Sequence, residues 1–341
     1  MLTAALRDLQ FRRRRFAIAT FGAALVFGLS VTLSGLAASF DREAERTIDL
    51  FDADGWVIDA NAAGPFSGSS RIPTAAVDAV GDAPGVDDSG GLLLAPTTAR
   101  DPLKPDLVNM FGVQIGRLGA PDALTRADEI VLDQQLGHEV GDQFLLGDRR
   151  FRVVGVVDSS MFAGVPNVYL DLRVVQEMAF AGQDLVSVVL IDGDPGNLPA
   201  LRTVSSEDAI DNALLPLSSA KSTIAMVRTV LWVIAALVIG SVLYLNAQER
   251  TRDFAVFKAT GATTRSIVTG LAVQAVAIAV VASILAVVLS FVLAPAMPLA
   301  VETPLSAYLL LPAVVLAVSL IGSIAGARRA ASVPPAVAFG G

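Results

Sequence analysis

Residues 249–263 read Glu249-Arg-Thr-Arg-Asp-Phe-Ala-Val-Phe-Lys-Ala-Thr-Gly-Ala-Thr263, and they lie between two apolar runs at 229–245 and 267–293. The segment is helix-compatible for about four turns and carries charge at Glu249, Arg250, Arg252, Asp253 and Lys258. At the centre of a bilayer each of those charges would cost roughly 3 kcal/mol or more. A short charged helix tied between two membrane spans must therefore lie at the membrane surface, where another protein can reach it.

The rest of the chain supports that reading. Its 341 residues are 53% hydrophobic with a mean hydropathy of +0.61, too apolar for an ordinary soluble protein. Four stretches qualify as spans by length and composition: 16–38, 224–246, 267–293 and 305–327. A 23-residue helix reaches about 34 Å, enough to cross a bilayer core of about 30 Å. The first stretch exceeds the h-region of a cleaved signal peptide, so an uncleaved span is expected.

Charge predicts the orientation. Arg7 and Arg12, Arg13, Arg14 and Arg15 precede the first span; Arg250, Arg252, Lys258 and Arg265 lie in 247–266; Arg328 and Arg329 lie in 328–341. Against these eleven basic groups stand three acids, Asp8, Glu249 and Asp253. Residues 41–220 instead hold 12 basic and 29 acidic groups. By the positive-inside rule, segments 1–15, 247–266 and 328–341 are expected in the cytoplasm of a multi-pass cell-membrane protein, with 39–220 outside. Arg12–Arg15, Arg328 and Arg329 read as cytoplasmic anchors, a role that snorkelling at span ends also explains.

The inserted region 39–220 predicts a mixed α+β domain on a charged helical stalk at 39–50. Strand patterns occur at 55–60, 91–95, 108–118, 129–136, 167–172 and 184–192, and a hairpin at 143–157 turns at Gly147-Asp148. Helices are expected at 73–80, 172–181 and 205–214. The fold class is thus an α+β membrane protein with one span before the domain and three after it.

Within the charged segment, Arg250, Phe254, Phe257 and Gly261 share one helical stripe, with Arg252, Asp253 and Lys258 largely off it. Two phenylalanines at a membrane surface need burial in headgroups or in a partner's groove. They are expected to protrude as an anchor, with Gly261 stopping the helix.

Other chemistries find little support. Cysteine is absent, so the chain offers neither disulfides nor a thiol nucleophile. None of Lys104, Lys221 and Lys258 sits in a phosphate-binding Gly-x-x-x-x-Gly-Lys pattern. His138 is the single histidine, expected in an exposed turn, which excludes a multi-histidine metal site. Asp49, Asp52 and Asp54 fall short of a calcium loop, with Asn61 where a bidentate glutamate belongs. Catalytic, cofactor-binding and metal sites are not expected. Nor is a nucleic-acid partner. Gln274 is expected to bond a neighbouring helix rather than a solute.

Residues 249–263 resemble the cytoplasmic segment of FtsX/MacB-type ABC transporter permeases, usually Glu-Arg-Arg-Arg-Glu-Ile-Gly-Ile-Leu-Arg-Ala-Ile-Gly-Ala-Ser. The run from Glu129-Ile-Val-Leu-Asp through Phe151-Arg-Val-Val-Gly-Val-Val157 to Asn167-Val-Tyr-Leu170 is similar to the family's MacB-like periplasmic core domain. The tail Ala327-Arg-Arg-Ala-Ala-Ser-Val-Pro-Pro-Ala-Val-Ala338 resembles its closing motif, departing from it at Val337. The resemblance implies a non-catalytic permease subunit whose ATP and Mg are bound by a separate ABC ATPase. Glu249, Arg250, Arg252, Asp253, Phe254, Phe257, Lys258 and Gly261 would form the coupling interface. It further implies a dimer with a second copy or paralogue, contact with membrane lipids, and an extracytoplasmic adaptor or envelope protein as a further partner. The work would be efflux, lipid or lipoprotein extraction, or mechanotransmission. Two alternatives stay open: an amino-acid or other small-solute ABC permease, and a membrane-anchored envelope sensor without an ATPase.

Overall fold

A computed structural model describes residues 13–100, 106–158, 160–297 and 301–334. Arg7, Arg12 and the tail motif from Pro335 onward lie outside the described residues. The chain divides into two units, one of residues 1–39 with 220–341 and one of residues 40–219.

The helical unit contains most of α1 (Arg13–Asp49) and α5 (Ser218–Glu249), and all of α6 (Thr251–Ala259), α7 (Thr264–Leu293) and α8 (Leu305–Ala331). Four of its helices are long and apolar enough to cross a membrane. Ala23, Phe27, Ala235, Ile239, Ala275, Ala282 and Val315 form its buried centre. Small residues there let the helices approach closely, as packing inside a bilayer requires. Hydroxyls among them bond their own helix: Thr32 donates to the Gly28 carbonyl and Ser283 to that of Ala279. A helix satisfies such groups locally when water is excluded.

The second unit is built on a ten-stranded mixed sheet. Its elements are β1 (Gly55–Asp59), β2 (Ile72–Pro73), α2 (Ala75–Gly81), β3 (Val86–Ala99), β4 (Asp106–Val113), β5 (Glu129–Asp133), β6 (Gln143–Leu146), β7 (Arg149–Val157), β8 (Met161–Phe162), β9 (Val165–Asp171), α3 (Leu172–Ala179), β10 (Leu185–Val186), β11 (Val188–Gly193), β12 (Leu201–Ser205) and α4 (Ser206–Leu214). Strand order is β12-β1-β11-β3-β4-β9-β5-β7-β6, with β8 beside β9; β2 and β10 form a separate pair. The β4–β9 and β5–β7 pairs are parallel and the others antiparallel.

Both faces of β1, β4, β5, β9 and β11 are covered, which explains why these strands are largely apolar runs, whereas β7 and β12 keep exposed polar residues. Val57, Leu93, Met110, Ile130, Val168 and Val189 enter one core with residues of α2 and α3. Their neighbours Trp56, Leu92, Phe111, Val131, Tyr169 and Leu190 enter the other, with Ala44 and Ile48 of α1 and Ala209 and Ala213 of α4. The period-two alternation of a strand sorts adjacent residues between the two cores.

The hairpin forms where Gly147-Asp148 predicts it, with Gly147 at φ +59°. Several strand limits differ from the sequence expectation. β4 stops at Val113, because Gly116 and Gly119 take positive φ and turn the chain. β5 ends at Asp133, whose carboxylate accepts from the Gln135 amide and starts a 3-10 turn. Residues 184–192 divide into β10 and β11, and β3 runs well beyond 91–95 at both ends. The short strands β2 and β8, and β12, carry no pattern of their own length. His138 is half-buried rather than exposed, edge-on to the Phe144 ring at 5.2 Å.

Candidate functional site

The charged segment is a break followed by a short helix. α5 ends at Glu249, Arg250 leaves helical geometry, and α6 begins at Thr251. Arg250 closes the corner: its Nε donates to Asp253 Oδ2 at 3.2 Å, and its guanidinium lies 5.6 Å from the centre of the Phe254 ring. Such a pairing of cation and ring is worth about 0.5–2 kcal/mol, the larger value where the pair is desolvated.

At the other end Gly261, at φ +95°, is the left-handed residue of a Schellman motif. Its amide donates to the Lys258 carbonyl at 3.1 Å and the Ala262 amide to that of Phe257 at 2.8 Å. Thr263 then caps α7, accepting from the Ser266 amide at 3.3 Å. Gly261 stops the helix as its residue type predicts.

The phenylalanine stripe does not face outward. Phe254 is only 5% exposed and packs with Ala247, Ile267, Leu271 and Ala330, and Phe257 is partly buried against the same group. The expected protruding pair is corrected: apolar rings at a surface seek burial, and the ends of α5, α7 and α8 supply it within the chain. The free face of α6 is the opposite one, where Arg252, Asp253, Val256, Ala259 and Thr260 are exposed. Val256 was not among the residues singled out from sequence, yet 252, 256 and 260 follow helical spacing and were readable as a stripe.

Lys258 is engaged as well. Its Nζ donates to the carbonyl oxygens of Ala331 and Val333, each at 2.8 Å. These carbonyls lie at the C-terminal end of α8, where backbone acceptors lack helical partners and a cation is favoured. α6 and the end of α8 are therefore joined, together with the neighbouring Arg328 and Arg329, both exposed. At the start of α1 Arg14 is exposed, while the side chains of Arg13 and Arg15 lie outside the described residues. Asn246 Nδ2 donates to Gln274 Oε1 at 3.3 Å, a buried bond between α5 and α7 and the interhelical bond expected of Gln274.

An FtsX-like permease C-terminal model matches residues 225–335, and a MacB-like periplasmic core domain model matches residues 16–200. An ABC transporter permease of Mycobacterium bovis is 43% identical over 348 residues, covering 100% of both chains. The chain belongs to the FtsX/MacB-type ABC transporter permease family. A second relative of this permease, from Mycobacterium tuberculosis, is 40% identical over 348 residues, again with 100% of each chain covered. The solved periplasmic region of MacB from Actinobacillus actinomycetemcomitans aligns with 46% of the permease and 91% of its own chain, at 14% identity and a TM-score of 0.36. The permease carries its mixed domain between the first and second of four apolar helices. Its charged segment, the α6 region, falls inside the FtsX-like match.

Proposed function

We propose that this permease couples ATP hydrolysis on a separate ATPase chain to movement of its inserted domain, and that α6 receives the push. The observation carrying this reading is the division of α6 into two faces. Phe254 and Lys258 bind it to α5, α7 and α8, while Arg252, Asp253, Val256, Ala259 and Thr260 remain open. A short helix fixed on one side and free on the other passes displacement into the spans it joins. The excess of basic residues in 1–15, 247–266 and 328–341 supports a cytoplasmic α6 with the acidic domain outside. ATP and Mg belong to the partner, and two permease copies work together. α1 and α5 each contribute residues to both units, giving two covalent routes by which movement reaches the domain.

The test is Val256→Glu combined with Arg252→Glu in membranes co-expressing the cognate ATPase. Co-purification of the ATPase should fall, while Phe257→Leu, which keeps the internal packing apolar, should leave it intact. Full retention of the ATPase by the double variant would reject α6 as the contact.

A further inference from the structure

Between α5 and α8 the surface of the helical unit is notched. A Cβ on Gly322 would lie 2.6 Å from the Ala236 carbonyl oxygen, and one on Gly240 would lie 2.7 Å from the Gly322 carbonyl oxygen. Gly322 and Gly326 are four residues apart, the spacing that lets helix backbones meet by removing side chains. What is removed leaves a groove of about 540 Å³. Ala236, Gly240 and Gly322 form its floor, and the exposed side chains of Leu237, Tyr244 and Ile321 its walls. From Ala236 to Leu245 it runs about 14 Å along α5.

Two observations select the occupant. The groove lies between two helices apolar enough to cross a bilayer, so acyl chains are the medium around it. Arg328 and Arg329 continue its own stripe on α8, following Ala325 at three and four residues, and both are exposed. A second copy seated here about a two-fold axis would bring this arginine pair toward its own image, like charge against like charge. An anionic headgroup instead neutralises the pair, and guanidinium groups match phosphate oxygens in bidentate geometry. We propose that the α5–α8 groove seats one acyl chain of an anionic phospholipid whose phosphate is held by Arg328 and Arg329.

The full chain in nanodiscs of equal phosphatidylcholine and phosphatidylglycerol tests this, with retained lipid counted by native mass spectrometry. Phosphatidylglycerol should be retained in preference, and Arg328→Gln or Arg329→Gln should each lower its retention about fivefold. Ala325→Phe and Ser241→Leu fill the groove from opposite walls, and each should reduce retention of both lipids with helical circular dichroism unchanged. Equal retention of the two lipids overturns the proposal, as does retention unaffected by both filling variants. The native chain lacks cysteine, so Ser241→Cys introduces a single thiol. High-yield disulfide formation through it in membranes would show a second copy in the groove, and would equally overturn the proposal.

Discussion

Thr47 Oγ1 accepts a hydrogen bond from Asn167 Nδ2 at 3.3 Å, joining the last turns of α1 to β9. Thr47 also donates to the Met161 carbonyl at 3.3 Å, and Asn167 Oδ1 accepts from the Phe162 amide at 3.1 Å. Both side chains are buried, so protein partners rather than water satisfy their polar atoms. Replacing Thr47 with Val keeps the shape and strands the Asn167 amide and the Met161 carbonyl. The expected loss is about 1–3 kcal/mol, read from denaturant melts of the full chain in detergent. A melt identical to the native one would remove this tie from the account of the domain.

Gly261 provides a sharper test of the α6 corner. No heavy atom lies within 4 Å of a Cβ built on it, so any penalty arises from its positive φ alone. Gly261→Ala should destabilise the helical unit by about 1 kcal/mol. Gly261→Asn should cost less, because asparagine tolerates the left-handed region. Thermal melts of the two variants check the order; the reverse order would mean that the Schellman geometry is not what the corner requires.

Lys258→Met retains the aliphatic stem and deletes the ammonium that serves Ala331 and Val333. Charge-assisted hydrogen bonds contribute about 1.5–3 kcal/mol each at most, and the end of α8 should fray without them. Hydrogen exchange at the Arg329–Ser332 amides should accelerate while that of central α7 stays constant. Unchanged protection at those amides would make Lys258 dispensable to the junction.

Two carboxylates predict opposite pH responses. Asp192 is raised above its ordinary value, chiefly by its hydrogen bond with Asp54 and then by partial desolvation and repulsion from Asp54, Asp87 and Asp52. Its contribution to stability is present below the unfolded-state value and fades as pH rises through the folded one. Glu129 is lowered, chiefly by hydrogen bonds from the Thr125 amide and hydroxyl and from the Arg126 amide. Its contribution is present above the unfolded-state value and fades as pH falls through the folded one. Asp192→Asn should therefore gain on the native chain as pH rises above the carboxylate range. Glu129→Gln should be the weaker protein at neutral pH and converge with the native chain in acid. Parallel stability profiles from pH 3 to 7 for all three proteins would contradict both assignments.

Legibility differed between the two units. The spans were readable because a bilayer demands long uncharged runs, and apolar length is a one-dimensional property. In the inserted domain, β1, the β6–β7 hairpin and the three helices were readable from local pattern and turn chemistry. β2 and β8, only two residues each, exist because distant partners supply their hydrogen bonds. The same holds for the long arm of β3, whose Ala99 pairs with Leu146 of β6.

The candidate site divides along the same line. Sequence alone carried the expectation that residues 249–263 lie at a membrane surface, and it determined that the helix stops at Gly261, because charge desolvation and left-handed backbone geometry belong to single residues. Only the tertiary structure decided which face of α6 is open. Phe254 has two ways to escape water, into a partner or into its own chain, and the choice depends on whether Ile267, Leu271 and Ala330 converge on it. That convergence links residues remote in sequence, and no local pattern encodes it.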